Sequence, residues 1–540
     1  MLAGGALLTG GSAAASAAET NLSERQAIGI ANRDPKVQET RAEHGDLSPV
    51  AALDNGDWKV DFFADDRDLA QVIVDDPTGI VRESWTGHQV AWKMARGYEG
   101  AFGRKLNAPY VWLPLCAIFL LGLVDWRRPL RIANLDLLVL LSFGASHFFF
   151  NRAEIGVSVP LAYPPLLYLM GRLLWVGFRG SGSAIRPVWP ATWLLIAALF
   201  LIGFRGGLNV ADSNVIDVGY SGVIGADKTT HGERIYGSFP ADNPSGDTYG
   251  PLNYYAYVPF ELALPWGGEW DDLPAAHAAT IFFDLLAFGG LLLLGRRLRP
   301  GEEGRLLGAA LAFGWAAYPY TAFALESNAN DTLVAALLVL MLLVAARPAA
   351  RGAMLAVASL TKFAPLPLMP LMATFRAARR SVATFAAAFA AAMIVLMLPT
   401  LLDPGFGTFW DRTIGYQAGR ASPFSIWGQT NTLEPLQTAV KLVVAVLAAL
   451  VAFVPARKSL AQLAALAAAV LIGVQLTVEH WFYLYIPWFF PLALVALAAI
   501  RLPASAPVRW SPPGHRDESQ PSHPSPRDPR RRYRSARASA

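Results

Sequence analysis

Three carboxylates stand close together in LNVADSNVIDVGYSGVIGAD, residues 208–227: Asp212, Asp217 and Asp227. The stretch follows directly on an apolar run at 189–205. Just beyond it, HGERIYGSFPADNPSGDTYGPLNYYAYVPFE sets Tyr236, Tyr249, Tyr254, Tyr255 and Tyr257 among Gly and Pro, with Asn253 in the same cluster. Aromatic faces stack on the C–H surfaces of sugars, and carboxylates and amides accept hydroxyl protons, so this mixture suits carbohydrate recognition. The same tyrosines also suit an interfacial aromatic belt, and an Asp near a helix start also suits capping. Other chemistries lack their residues. The single cysteine, Cys116, excludes an internal disulfide and any CxxC metal site. There is no Walker A loop, no HExxH, no strand-borne GxGxxG and no His/Asp/Glu grouping with convincing metal spacing. Neither a metal nor a cofactor is expected.

The elements that must position these residues are membrane helices. Of the 540 residues, 54% are hydrophobic and 16% charged, and the mean hydropathy is +0.35. Soluble domains carry about 25% charged residues, so the composition reads as an α-helical polytopic membrane protein. Apolar runs at 110–126, 133–150, 158–178, 189–205, 275–295, 306–324, 331–346, 382–402, 436–455, 459–476 and 484–501 are each near the ~20 residues that cross hydrocarbon. One further segment, 352–375, is broken by Lys362, Pro365, Pro367 and Pro370 and flanked by ARPAAR and FRAARR. With both basic clusters on one side, it enters and leaves the same face as a re-entrant pair.

Basic loops at 125–131, 177–186, 295–305, 346–351, 375–380 and 455–459 set the sides. Placed inside, they fit about eleven spans that start outside and end inside. The long segments 206–274 and 403–435 are then external, and the protein is a multi-pass protein of the cell membrane. The formal charge of +4 is small and concentrated in loops and tail. It speaks to topology and membrane lipids, not to nucleic acid.

Four parts follow along the chain. Residues 1–18 read as the end of a signal peptide, with Ala-Ser-Ala at 15–17 and no basic n-region, so the true start is expected upstream. An uncleaved span is the alternative. Residues 20–105 form a small α+β extracytoplasmic domain: SERQAIGIANRDPKVQETRAEHG has helical spacing, DWKVDFFAD alternates Trp58, Val60 and Phe62 on one face, and LAQVIVDDPTGIVRESW reads as strand, turn, strand. This order resembles a PepSY-like domain and equally fits a small unclassified α+β domain. Residues 106–502 are the membrane domain. Residues 503–540, rich in Pro, Ser and Arg, read as a disordered cytoplasmic tail.

VIDVGYSGVIGADKTTHGERIYG, with Asp217, Tyr220, Gly232 and Tyr236, resembles the first external loop of polyprenol-phosphate-sugar-dependent glycosyltransferases of the C superfamily, nearest to the mannosyltransferase-like family 87. GDTYGPLNYYAYVPFE, SNANDTLVAALL, LTKFAPLPLMPL and EHWFYLYIPWF are similar to later elements of that group, so the likeness spans about 190–500. Two positions depart from the pattern: Gly219 stands between Val218 and Tyr220, where the spacing is usually shorter, and His480 is single where relatives often carry two.

The resemblance implies a glycosyltransferase C-like fold. It also implies transfer of a mannose-like hexose from a polyprenyl-phosphate donor to a lipid or glycan acceptor, with inversion. Asp217 is then the general base, with Asp212 second. Arg412, Arg420 and His480 would hold the leaving phosphate. Tyr220, Tyr236, Tyr249, Asn253, Asn330 and Asp331 would line the sugar site. Lys362 is a candidate as an intramembrane charge, yet the basic loops put it in the cytoplasmic half, where it would snorkel and contribute little to the phosphate. The rival class is a multi-span transporter that uses the broken helix around Lys362. A lateral groove that joins the first external loop to the membrane favours transfer, and a path through the midplane favours transport.

Overall fold

The computed structural model describes residues 20–499, apart from 55, 65–66, 98–103, 181–183 and 377. The signal-peptide-like segment at 1–18 and the basic tail at 503–540 lie outside the described residues.

The N-terminal domain pairs two helices with a four-stranded antiparallel meander, β1 (Ser48–Asp54), β2 (Asp57–Ala64), β3 (Arg67–Asp75) and β4 (Val81–Thr86), in that order across the sheet. The single helical stretch expected from spacing is two helices, Glu24–Ala31 and Pro35–His44. Pro35 has no N–H to continue the first helix, and the Asp34 carboxylate caps the second through the Lys36 amide at 2.9 Å. Trp58, Val60 and Phe62 of β2 are buried in alternation and pair across to Val74, Val72 and Ala70 of β3, so one face of the sheet is the core. The β3–β4 turn follows its residues: Asp75 accepts from the Thr78 amide at 2.9 Å, and Gly79 takes φ +70°.

The rest of the chain is a bundle of apolar helices. Six described helices are long and apolar enough to cross a membrane: Ile132–Phe150, Ile155–Arg179, Ala191–Asp212, Pro274–Leu298, Arg379–Leu402 and Glu434–Phe453. The chain is thus a helical membrane protein. The other expected runs also fall on helices, but on shorter ones. Pro109–Leu123, Asp331–Leu343 and Leu460–Gln475 are among them, and the run at 306–324 is divided at Tyr318 because Pro319 opens a new helix. Asp331–Leu343 and Ile486–Ala499 are buried on nearly every face, which places them at the centre of the bundle.

The loops sort to two ends. At one end Arg131 donates to the Ala184 carbonyl, the Ile185 amide to Leu497, Gln462 to Gly177 and Arg297 to Leu343. These bonds gather the basic loops together. At the opposite end lie Asp217, Asn330, Lys362 and His480. The segment around Lys362 goes in and returns. Helix Pro348–Thr361 runs the same way as Arg379–Leu402, with Gly352 against Phe385 and Leu360 in the same cluster as Met397. Between them the chain descends until Thr374 Oγ1 donates to the Ala452 carbonyl at the basic end, at 2.7 Å.

Candidate functional site

The site is built where the broken segment 352–375 turns back. Helix Pro348–Thr361 ends at Lys362, which takes extended backbone, and the chain restarts in a new direction through the proline-led turn Leu366–Leu368 and the helix Met369–Thr374. The expectation that Lys362 snorkels in the basic half is therefore corrected. The broken helix carries Lys362 to the opposite end and buries it there at 8% exposure. Its ammonium lies 2.6 Å from Asp331 Oδ1, which also accepts from Trp488 Nε1 at 2.7 Å. The rings of Trp488, Tyr249 and Tyr485 surround the same ammonium at 5.1, 5.5 and 5.5 Å.

Lys362 borders a cavity of about 470 Å³ whose polar walls include Tyr249, Arg420, Lys441, Gln475 and His480. Its apolar walls come from Phe363, Pro367, Ile414, Ala418, Val474 and Val478. Arg420 takes part in no ion pair among the described residues, and its Nε lacks a hydrogen-bond partner. His480 Nδ1 lies 2.9 Å from Ser422 Oγ. Burial, then the charges of Arg420 and Lys362, push the His480 imidazole well below its ordinary range, so it is neutral near pH 7. It offers hydrogen bonds, not charge.

Asp217 opens the helix Asp217–Thr230. Its side chain is accessible, yet protein crowds it closely enough that desolvation raises its carboxyl above the ordinary carboxylate range. Arg420, the Val218 amide and Lys362 pull the other way, and Asp331 adds to the rise. A group that is open to solvent and still desolvated lies in a recess. The helix start is fixed by a close approach that only glycine permits: a Cβ on Gly219 would run into the Asn328 carbonyl oxygen. This is the physical reason for the residue that interrupts the family-like spacing. Gly250 does the same for the Tyr249 loop, which lies against the Leu360 carbonyl.

Asn253, Asn330 and Asp331 are wholly buried beside this recess. Asn330 Nδ2 donates to Asn253 Oδ1 at 2.6 Å, while Asn253 Nδ2, Asn330 Oδ1 and Asp331 Oδ2 have no partner among the described residues. No known protein family matches this chain, and no curated protein matches it.

The other expected site residues have different places. Asp212 pairs with Lys105 at 3.6 Å. Arg412 is not in the cavity: its Nε donates to Asp247 Oδ2 at 2.7 Å, and it also bonds the Pro244 carbonyl. Asp247 is fully buried and accepts from the Gly237 amide, so Arg412 holds the 237–247 loop closed. Tyr220 stacks on Trp270 and donates to Asp242 at 3.0 Å. Tyr236 donates to the Tyr249 carbonyl at 2.8 Å. Both rings brace the loop that bears Tyr249. Lys441, Tyr485 and Trp488 were missed by sequence reasoning. Lys441 had a signal, a cation inside an apolar run; the two rings lie in EHWFYLYIPWF, a stretch already singled out, but nothing in it marked them apart from their neighbours.

The arrangement can therefore seat an anion against Lys362, Arg420 and His480, beside a carboxylate of raised proton affinity and a set of unfilled amide and carboxylate positions. Its apolar walls can hold a hydrocarbon chain.

Proposed function

We propose that the protein is a membrane glycosyltransferase that moves a hexose from a polyprenyl-phosphate donor to an extracytoplasmic lipid or glycan acceptor. The observation that carries this reading is one cavity near Asp217 whose lining combines Lys362, Arg420 and His480 with apolar side chains, and with one carboxylate, Glu479. A lipid-linked phosphate is the ligand class that needs both cationic and apolar walls. On this reading the site end is extracytoplasmic, the basic end is cytoplasmic, about eleven helices span the membrane, and the small α+β domain is PepSY-like.

The donor phosphate sits against Lys362 and Arg420, with His480 as a neutral donor. The sugar lies with Tyr249 at its side, while the wholly buried Asn253, Asn330 and Asp331 act on it only through Lys362, which Asp331 holds in place. Asp217 takes the acceptor hydroxyl proton as that oxygen bonds to the anomeric carbon. The carbon–oxygen bond to the phosphate breaks on the opposite face, and the lipid phosphate leaves with the electron pair. Lys362 and Arg420 stabilise the charge that grows on the leaving group. A carboxylate of raised pKa is a stronger base once ionised, which suits Asp217 to this role.

An exposed apolar helix face beside the cavity favours the reading over transport. The rim residue Lys441 is exposed, and Leu442, Val443 and Val446 beside it on the same helix are exposed at 63%, 62% and 66%. An apolar helix face of that kind meets lipid, so a donor can slide in from the membrane. The test is transfer from synthetic polyprenyl-phosphate mannose and related donors by the purified protein. Asp217→Asn should bind donor and transfer little sugar. Near-normal turnover by that variant would remove Asp217 as the base. No transfer from any lipid donor by the intact protein would overturn the reading and favour transport.

A further inference from the structure

The N-terminal domain reaches the cavity through one side chain. Beyond β4 the chain makes the short helix His88–Ala91 and then Trp92. The Arg420 guanidinium lies 5.2 Å from the Trp92 ring centre. The His480 ring lies 5.6 Å from it at 34°, and Phe424 meets it edge-on at 5.5 Å. Tyr416 is the other ring near Arg420, at 5.9 Å. Two of the three groups that face the cavity as anion ligands therefore rest on a residue delivered from outside the bundle.

The delivery is rigid. Arg96 ties the connector to the sheet through Gln71 Oε1 at 2.7 Å and to its own segment through the Gln89 carbonyl at 2.8 Å. It also lies over the Trp85 ring at 5.6 Å. Gln89 Nε2 then donates to the Ala153 carbonyl, on the loop after helix Ile132–Phe150, at 2.9 Å. A further lock is steric, because Gly97 lies against the backbone of Asn151 to Ala153. Sheet, connector and bundle thus form a continuous run of contacts that ends at Trp92.

An arginine with no carboxylate partner has many rotamers to lose when it binds an anion. A ring that stacks on the guanidinium without neutralising it removes that freedom in advance and leaves the charge available. We infer that Trp92 is a positioning residue of the membrane site: the N-terminal domain acts through it to hold Arg420 and His480 in anion-binding geometry. The inference rests on the proposed lipid-phosphate reading of the cavity, and its test separates the two.

The full-length protein is placed in nanodiscs with the variants Trp92→Ala, Trp92→Phe, Arg96→Ala and Arg420→Ala. Binding of polyprenyl phosphate is titrated, and kcat and KM are measured with the lipid-linked sugar. Trp92→Ala should weaken binding and raise KM roughly tenfold, about 1.4 kcal/mol, with kcat little changed. Trp92→Phe, which keeps a ring face, should recover most of the loss. Arg96→Ala touches neither Arg420 nor His480 and should shift binding in the same direction, which simple loss of a site contact would not do. Wild-type affinity in both Trp92→Ala and Arg96→Ala, with binding lost in Arg420→Ala, would overturn the inference and leave the transferase reading standing. A wild type that transfers no sugar, but binds polyprenyl phosphate in a Trp92-dependent way, would support the inference and remove the transferase. Absence of polyprenyl-phosphate binding by the wild type would overturn it.

Discussion

Lys362→Met separates what the buried pair does for the fold from what it does for a ligand. The side chains of Lys362 and Asp331 are 9% and 1% exposed, with nitrogen and oxygen 2.6 Å apart. Removal of the cation leaves Asp331 buried with Trp488 Nε1 on one oxygen and nothing on the other. An uncompensated buried charge of this kind costs about 3–5 kcal/mol. Removing the charge from both partners, as in Lys362→Met with Asp331→Asn, relieves that penalty and should bring stability back to within about 1–2 kcal/mol of wild type. Donor affinity should not return with it. A phosphate that loses one charge-assisted hydrogen bond forfeits about 1.5–3 kcal/mol, roughly a 10- to 150-fold weaker complex. The assay is thermal unfolding in detergent in parallel with a lipid-phosphate titration on the single and double variants. A single variant as stable as wild type would refute the pair. A stable double variant that binds donor normally would refute Lys362 as a phosphate ligand.

Four further outcomes are expected. With Asp217 as the proposed base, the transfer rate should fall as pH drops through its raised pKa, because a base is active only when ionised. A pH profile of kcat should therefore show an acid limb above the ordinary carboxylate range, absent in Asp217→Asn. Arg412→Ala should loosen the 237–247 loop by leaving buried Asp247 with the Gly237 amide alone, at a cost of about 1–3 kcal/mol because Arg412 is itself 36% exposed; faster amide exchange confined to that loop is the readout, and unchanged exchange would refute the clamp. Desolvation first, then the charge of Asp61, raises Asp68 in the N-terminal domain from 3.8 to about 6. Its proton is held more tightly in the folded state, so its contribution is full below pH 3.8 and is lost as pH rises through 6; the protection of the sheet amides, corrected for the intrinsic pH dependence of exchange, should fall over that window in wild type and not in Asp68→Asn. A cysteine added within 241–247 should react with an impermeant reagent in intact cells, and reaction only after lysis would reverse the sides.

Much of this was legible in the sequence because it depends on neighbours along the chain. Apolar runs of helical length, the alternation of Trp58, Val60 and Phe62 and the Gly79 turn all follow from local backbone chemistry and from what hydrocarbon tolerates; the breaks at Pro35 and Pro319 carried the same kind of local signal but were read through as continuous. The same holds for the break in segment 352–375, whose prolines and flanking arginines are contiguous. Local pattern also placed Asp217 at a helix start after a span.

Which charges meet was decided only in three dimensions. Arg412 and Arg420 are eight positions apart and alike in sequence, but Asp247, 165 residues from Arg412, occupies the first, while the second stays without an ion pair among the described residues and faces the cavity. Lys362 seemed stranded in the wrong half because a hydropathy profile gives no depth; the helix ahead of it fixes that depth, and Asp331 and three rings hold it there. Trp92 lies in a part of the chain that no membrane motif touches, and it arrives at Arg420 only because the connector is tied to both sheet and bundle. A sequence records which residues can pair. Packing decides which pairs form, since burial makes an unsatisfied charge too costly to leave and exposes only those the fold does not consume.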